Sequence, residues 1–459
     1  MDGNLTANLA RFCATLREED LPDNVRERVR YLLLDHLAVT LRGSLLPSSQ
    51  AGYEMLRAMA GASERGAPIY GTAMRAEASW AALVNGIAAH GLEMDDVENR
   101  SSLHPGVVVF PAVLALAEPL GSHPADLYAA VVAGYEVTLL VGSALKPAAA
   151  YERGFHPTAV CGAFGAAAAS ARLLHLSPEQ TNMALGIAGS MAAGSMAYLQ
   201  NGAWTKRLHP GWTSHAGIMA ARLAAAGFIG PDDIFTGRYN FLQACSADSD
   251  AGELKRNSDD VFAIMQVSLK PYACCRYMHG PIDCLLEIRR TYAPDPQHIA
   301  SVSCGVLTGG RGLVADPLEQ KREPQNVVDA QFSMPFGAAI ALLTGQAGLA
   351  AFTDEWIQNA VVRVLMQKVE CYSSPALDDY YPDEWRASAR VLMDDGREFS
   401  ASIRYPLGDP HNPLSWQQLE ARFHELVAPV IEDARSRQAI IEKVKRIDDM
   451  GSESCLPLL

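Results

Sequence analysis

"LPDNVRERVRYLLLDHLAVTLRG", residues 21–43, reads as one helix from end to end. Pro22 stands near the start, Val25, Val29, Leu32, Leu33, His36 and Leu37 recur at helical spacing, and Gly43 marks the stop. The same pattern returns through the first 265 residues, at 76–96, 122–145, 161–176 and 177–194. Ala, Gly and Ser dominate these faces, so the helices can approach closely. Ser177 with Gln180 three residues later forms a capping box at the start of the last of them.

Composition agrees with a mainly α fold. The chain has 459 residues, enough for two or three folding units, and is 49% hydrophobic but only 7% aromatic. Its acidic residues outnumber its basic ones by 52 to 38, so its average field repels phosphate backbones and anionic lipid. Nucleic acid is excluded as a partner on that ground. Nine scattered cysteines and a start, "MDGNLTANLA", without a basic and apolar leader predict a cytosolic protein with reduced thiols. Residues 127–145 are the best membrane candidate, but Glu136 in their middle makes them a buried helix.

The period changes at about residue 266. "SVSCGVLTGG" (301–310) and "AVVRVLMQKVE" (360–370) read as strands, and "WRASARVLMDDGREFSASIRYP" (385–406) reads as a hairpin turning at Asp394-Asp395-Gly396. Residues 280–292 and 327–345 read as helices between them. After "PLGDPHNPL" (406–414), two amphipathic helices at 415–431 and 433–448 close the chain. The predicted architecture is an all-helical domain of residues 1–266 plus 409–459, with residues 267–408 inserted as an α+β lid.

No phosphate loop, dinucleotide fingerprint, nucleophile elbow, HExxH or paired CxxC is present, so no cofactor and no metal is expected. What remains is a set of polar groups in apolar or glycine-rich turns. "HGLEMDDVENRSSLHPGVVVFP" (90–111) sets Glu93, Asp95 and Asp96 near His104. Carboxylates beside an imidazole tune it for proton transfer; the alternative is a solvated acidic loop. "ERGFHPTAVCGAFGA" (152–166) repeats the His-Pro step at His156, with Thr158 placed to cap a helix. "WTKRLHPGWTSHAG" (204–217) gathers Lys206, Arg207, His209 and His215 between two tryptophans, as a fixed turn or a solvated face. "LKPYACCRYMHGPIDC" (269–284) offers Lys270, Tyr272, Arg276, Tyr277 and His279 at the domain junction.

Together "HGLEMDD", "SLHPGVVVFPAVLALAE", "RGFHPT", "WTKRLHPGW", "KPYACCRYMH" and "DAQFSMPFG" resemble, in order and over about residues 80–340, the MmgE/PrpD family of 2-methylcitrate dehydratases and cis-aconitate decarboxylases. The resemblance implies a homodimer, a large helical domain with a smaller α+β lid, and cofactor-independent chemistry on small carboxylic acids. By the family's motifs, Glu93, His104, His156, Lys206 and His279 are the catalytic candidates. Asp95, Asp96, Arg207, His209, Tyr272 and Arg276 are the substrate-binding candidates. Glu93 stands where many relatives have Asp, and Val97 and Phe336 replace residues that often carry hydroxyls.

The leading expectation is elimination of water from a small hydroxy di- or tricarboxylate. His104 and His279 would move protons while Lys206 offsets charge building on a carboxylate. Decarboxylation of an unsaturated acid and epimerisation would use nearly the same groups. A catalytically silent protein that binds a carboxylate or a partner is the reading from another class.

Overall fold

The computed structural model describes residues 4–59, 66–256 and 261–449. Among the described residues ten α-helices precede residue 226: α1 (Leu5–Thr15), α2 (Asp23–Gly43), α3 (Pro47–Ala58), α4 (Ala78–Ala89), α5 (Gly106–Leu120), α6 (Pro124–Leu145), α7 (Pro147–Glu152), α8 (Pro157–Leu173), α9 (Pro178–Gly189) and α10 (Thr205–Ala225). Helix α2 spans the stretch read from the sequence, and Val25, Val29, Leu32, Leu33, His36 and Leu37 are all buried. The capping box of Ser177 and Gln180 opens α9 as expected. Helix α6 is long and apolar enough to cross a membrane, yet 89% of its apolar window is buried inside the protein. Its Glu136 accepts a hydrogen bond of 3.0 Å from Arg256 Nε.

The helices that carry the candidate site meet through small residues. A Cβ added to Gly86 of α4 would lie 2.6 Å from Gly211 Cα, and one added to Gly211 of α10 would lie 2.1 Å from the Leu83 carbonyl oxygen. Backbone thus touches backbone where α4 crosses α10. Gly211→Ala is expected to cost about 1–3 kcal/mol by forcing the pair apart, read as a lower denaturant midpoint. An unchanged midpoint would show that the crossing can relax freely.

The stretch "TKRLHPGW" differs from its reading as a fixed turn. It forms the first turns of α10, with Pro210 inside the helix. Proline removes the donor that would meet the Lys206 carbonyl. The close Gly86–Gly211 contact supplies packing that holds the helix together at this point. Trp204 and Trp212 face outward, 48% and 39% exposed, and do not shield Lys206.

The second half holds a four-stranded sheet and its helices. In chain order these are α11 (His279–Tyr292), β1 (Ile299–Gly305), α12 (Val327–Gln331), α13 (Met334–Thr344), α14 (Ala360–Gln367), β2 (Val369–Tyr372), β3 (Ala387–Met393) and β4 (Glu398–Ile403). The order across the sheet is β2-β1-β3-β4, with β1 parallel to β2 and the other pairs antiparallel. The hairpin β3–β4 turns at the expected Asp394-Asp395-Gly396, with Gly396 at φ +87°.

Two expectations fail here. Residues 360–367 form helix α14, not strand, because the Asn359 side chain caps the Val361 and Val362 amides and Val362, Leu365 and Met366 bury one helical face. Only Val369–Tyr372 of that stretch is strand. Residues 327–345 form two helices, since Ser333 caps the Phe336 amide and starts α13 afresh.

Helices α15 (Trp416–Val427) and α16 (Ala434–Lys445) follow the sheet, and both pack on α2. Arg422 of α15 ties three segments together. It donates to Asp35 Oδ1 at 2.8 Å, to the Lys270 carbonyl at 2.9 Å and to the Met94 carbonyl at 2.7 Å. Val97–Glu98 also pairs antiparallel with Val267–Ser268. The turn that holds the acidic candidates is therefore stitched to both halves of the chain.

Candidate active site

Four helix ends converge. His90 caps the C-terminal end of α4, and the turn that follows carries Glu93, Asp95 and Asp96. His104 and Pro105 precede α5, His156 is the N-cap residue of α8, and Lys206 lies in the first turn of α10. Three helix N-termini, each with partial positive charge, thus lie behind these side chains and favour an anion. Glu93 adopts φ +57°, a left-handed conformation that a non-glycine residue holds only when its surroundings enforce it.

The centre is a pair of lysines on a pair of carboxylates. Lys206 is ion-paired with Glu93, and its ammonium lies 5.0 Å over the Phe332 ring. Lys270 Nζ lies 3.6 Å from the other Glu93 oxygen and 3.4 Å from Asp95 Oδ1. Asp95 Oδ2 accepts from two imidazoles, His90 Nδ1 at 2.9 Å and His104 Nδ1 at 3.0 Å. His104 Nδ1 also lies 2.8 Å from the Asp96 carbonyl. Thr158 does not cap α8; it accepts the His104 amide at 3.2 Å and fixes that backbone.

These contacts settle the tautomers. Both neighbours of His104 Nδ1 are acceptors, so that nitrogen carries the proton and Nε2 is left for chemistry. Burial pulls the His104 pKa down to about 4, against the upward pull of Asp95, so the ring is neutral near pH 7 with a free lone pair on Nε2. Burial alone would raise Asp95, but His90, Lys270 and His104 hold it well below the usual carboxylate range. Burial would likewise lower Lys270, and the carboxylates of Asp95 and Glu93 keep it raised instead. The cluster is closed to solvent: Glu93, Asp95, Lys206 and Lys270 are 5%, 1%, 6% and 0% exposed.

The other candidates lie around this centre. Asp96 turns its carboxyl away, accepting from Tyr135 at 2.7 Å and from the Gly106 amide at 2.9 Å. His156 and His209 share a hydrogen bond of 3.0 Å between their Nδ1 atoms, and the His156 ring lies 6.1 Å from that of His90. His279, Arg276 and Tyr272 form a separate group. His279 meets the Cys274 carbonyl at 3.2 Å and Arg276 at 3.4 Å, Arg276 faces Asp409 at 3.7 Å, and Tyr272 donates to Asp283. Arg207 points away from the lysines, to Ser48 at 3.2 Å. Val97 is buried in its two-residue ladder, and Phe336 is buried against Phe352.

Burial raises the Asp96 pKa to about 7, with the charges of Asp95 and Asp35 adding to the rise. A raised folded-state value means stability that is present at low pH and lost as pH climbs from about 4, the value of a free aspartate, through about 7. Asp96→Asn keeps an acceptor for the Gly106 amide and removes the titration. The melting temperature of the wild type is therefore expected to fall more than that of Asp96→Asn between pH 5 and 8; parallel curves would refute it.

Comparison with known proteins matches nearly the whole chain to one family. Residues 7–254 match the MmgE/PrpD N-terminal domain, and residues 272–446 match the MmgE/PrpD C-terminal domain. The chain belongs to the MmgE/PrpD family. Among its relatives, a cis-aconitate decarboxylase-like protein of Aspergillus oryzae is 28% identical over 95% of this chain and 92% of its own length. The cis-aconitate decarboxylase of Homo sapiens is 26% identical over 99% of this chain and 94% of its own length. The 2-methylcitrate dehydratase of Salmonella typhimurium is 29% identical, but over only 20% of each chain.

Within this MmgE/PrpD chain, the sequence reading passed over His90 and did not select Lys270, although both stood in the motifs. The signal for His90 was its place five residues before Asp95, at the end of an apolar helix. His90, Asp95 and His104 offer ligand atoms within 4.8 Å of one another, a spacing that suits a metal ion. Both imidazoles here meet Asp95 through Nδ1, the nitrogen that donates to it, and Lys270 supplies positive charge beside the same carboxylate.

Proposed function

We propose that the protein is a lyase that decarboxylates a small unsaturated carboxylic acid of the cis-aconitate kind. The observation that carries this reading is the convergence of Lys206 and Lys270 on one buried carboxylate, beside the Asp95-held His104. The names of relatives that match along nearly the whole chain support it. In such a reaction the bond to the departing carboxylate breaks, and its electron pair moves through the double bond to the carbon next to a second carboxylate. Carbon dioxide leaves, and that carbon takes a proton. Lysine ammoniums stabilise the negative charge that builds on the second carboxylate. His104 supplies the proton from Nε2, since a bound anion raises the pKa that burial has lowered. His156 and His209 form a second proton-carrying pair nearby.

The neutral state of His104 favours a second reading. A free lone pair on Nε2 is a base, which suits abstraction of a proton and loss of water. The short match to 2-methylcitrate dehydratase points the same way. In both readings residues 267–408 act as a lid that opens to admit substrate, because Lys270 and Phe332 of that segment already help to bury the cluster.

One experiment separates the readings. The purified protein is incubated in deuterium oxide with cis-aconitate, 2-methylcitrate and their smaller analogues, and products are followed by NMR. Release of carbon dioxide with one deuteron gained per product is expected. Loss of water without carbon dioxide would favour the dehydratase, and no turnover of any acid would sink both.

A further inference from the structure

A cavity of about 550 Å3 lies beside the buried cluster, where the end of α2 and the turn after it meet α10, α15 and the segments around residues 327–331 and 349–354. Its walls include Arg42 and Arg207 together with Leu45, Leu46, Leu92 and Phe352. Burial lowers the Arg207 pKa, and its one hydrogen bond among the described residues is to the Ser48 hydroxyl. Neither Arg207 nor Arg42 makes an ion pair among the described residues. Two guanidiniums without counter-ions therefore face one partly apolar space.

Three of the segments that line this cavity run directly into the catalytic cluster. Gly91 and Leu92 line the cavity and Glu93 follows them; Arg207 lines it and Lys206 precedes it; Gln331 lines it and Phe332, under the Lys206 ammonium, follows. Gln331 Nε2 donates to the Leu92 carbonyl at 3.1 Å, closing the wall, while its Oε1 is buried without a partner. Asp354 and Glu425 also touch the cavity, but both are exposed, whereas the two arginines are half-buried. Salt screens the exposed carboxylates more than the sheltered guanidiniums.

From this arrangement, which builds on the carboxylic-acid reading above, we infer that the cavity is a carboxylate-binding vestibule. Arg42 and Arg207 hold a small organic acid by its carboxylate, with its carbon stem against Leu45, Leu46 and Phe352, before it passes the Leu92–Gln331 contact. In a chain of net charge -14, a local pair of cations is what draws an anion toward a buried site. Arg207 is thus a residue of the approach, and Lys206, its neighbour in sequence, one of the chemistry.

The test has an arm that needs no turnover. Succinate is titrated into Lys206→Met/Glu93→Gln protein and its thermal shift recorded, with and without Arg42→Gln. The parent is expected to be stabilised by succinate, and Arg42→Gln to weaken the apparent affinity about tenfold, as the loss of one charge-assisted contact would. In the active protein, Arg42→Gln is expected to lower kcat/KM about 5- to 30-fold at low ionic strength, by more than it lowers kcat, with the gap shrinking in high salt. No succinate shift in the parent, or a shift and a kcat/KM indifferent to Arg42→Gln, overturns the vestibule. Failure of every acid to turn over would instead strike the catalytic reading, and the succinate arm would still decide this one.

Discussion

Lys206→Met is expected to lower kcat/KM by about 10- to 1000-fold, the range for losing a charge-assisted contact that strengthens as charge builds in the transition state. The lysine is 6% exposed and pairs with Glu93, so its removal also leaves a buried carboxylate facing only Lys270 at 3.6 Å. Breaking one side of such a pair costs about 3–5 kcal/mol of stability. The double variant Lys206→Met/Glu93→Gln removes both partners and separates the two effects. Its melting temperature should recover toward the wild type while its activity stays low. Arg207→Met should do distinctly less to kcat, because that side chain points to Ser48. Full activity in Lys206→Met would place the chemistry elsewhere.

Asp95→Asn is expected to be more damaging, lowering kcat by about 10²- to 10⁴-fold. Asp95 accepts on both sides: two imidazole Nδ1 donors meet Oδ2, and the Lys270 ammonium faces Oδ1. An amide cannot accept on both. If its NH2 faces the lysine, the rings keep their acceptor and the ammonium loses one; if it faces the histidines, their Nδ1 protons lose Oδ2 and the rings must shift. Either way the negative charge beside His104 Nδ1 is gone, so the ring is harder to protonate at Nε2 and less firmly held. The measurement is kcat with a circular dichroism spectrum to show the helices intact. A variant with wild-type kcat would mean that His104 does not depend on Asp95.

Much of the helical half was legible. Pro22 and Gly43 bound α2 as they should, because an amphipathic period and its stop signals act over one turn of chain. The β3–β4 hairpin was legible for the same reason, its Gly396 being the residue that tolerates φ +87°. Helix α14 was not, because Val-rich composition favours strand while burial of Val362, Leu365 and Met366 decides for helix, and that burial is tertiary. At the site, Glu93, His104 and Lys206 came from the family's motifs, and the structure brings them together through Asp95 and Lys270. His90 looked like the end of an apolar helix. Arg422 looked like the polar face of an amphipathic one, and only the fold shows it 9% exposed with three partners. Helix geometry alone sends Lys206 and Arg207 of α10 in different directions; that they meet Glu93 and Ser48 is tertiary.

Arg422 has a consequence for how the protein is made. Its partner Asp35 emerges from the ribosome 387 residues earlier, which at 5–20 residues per second is roughly 20–80 s of translation. During that time the carboxylate of α2 lacks the guanidinium that pairs with it in the finished fold. The face of α2 that α15 covers is open for the same period, and so is the Met94 carbonyl in the acidic turn. A nascent chain would therefore hold most of its helices long before it holds a working centre, and it would present an apolar groove to chaperones until α15 docks.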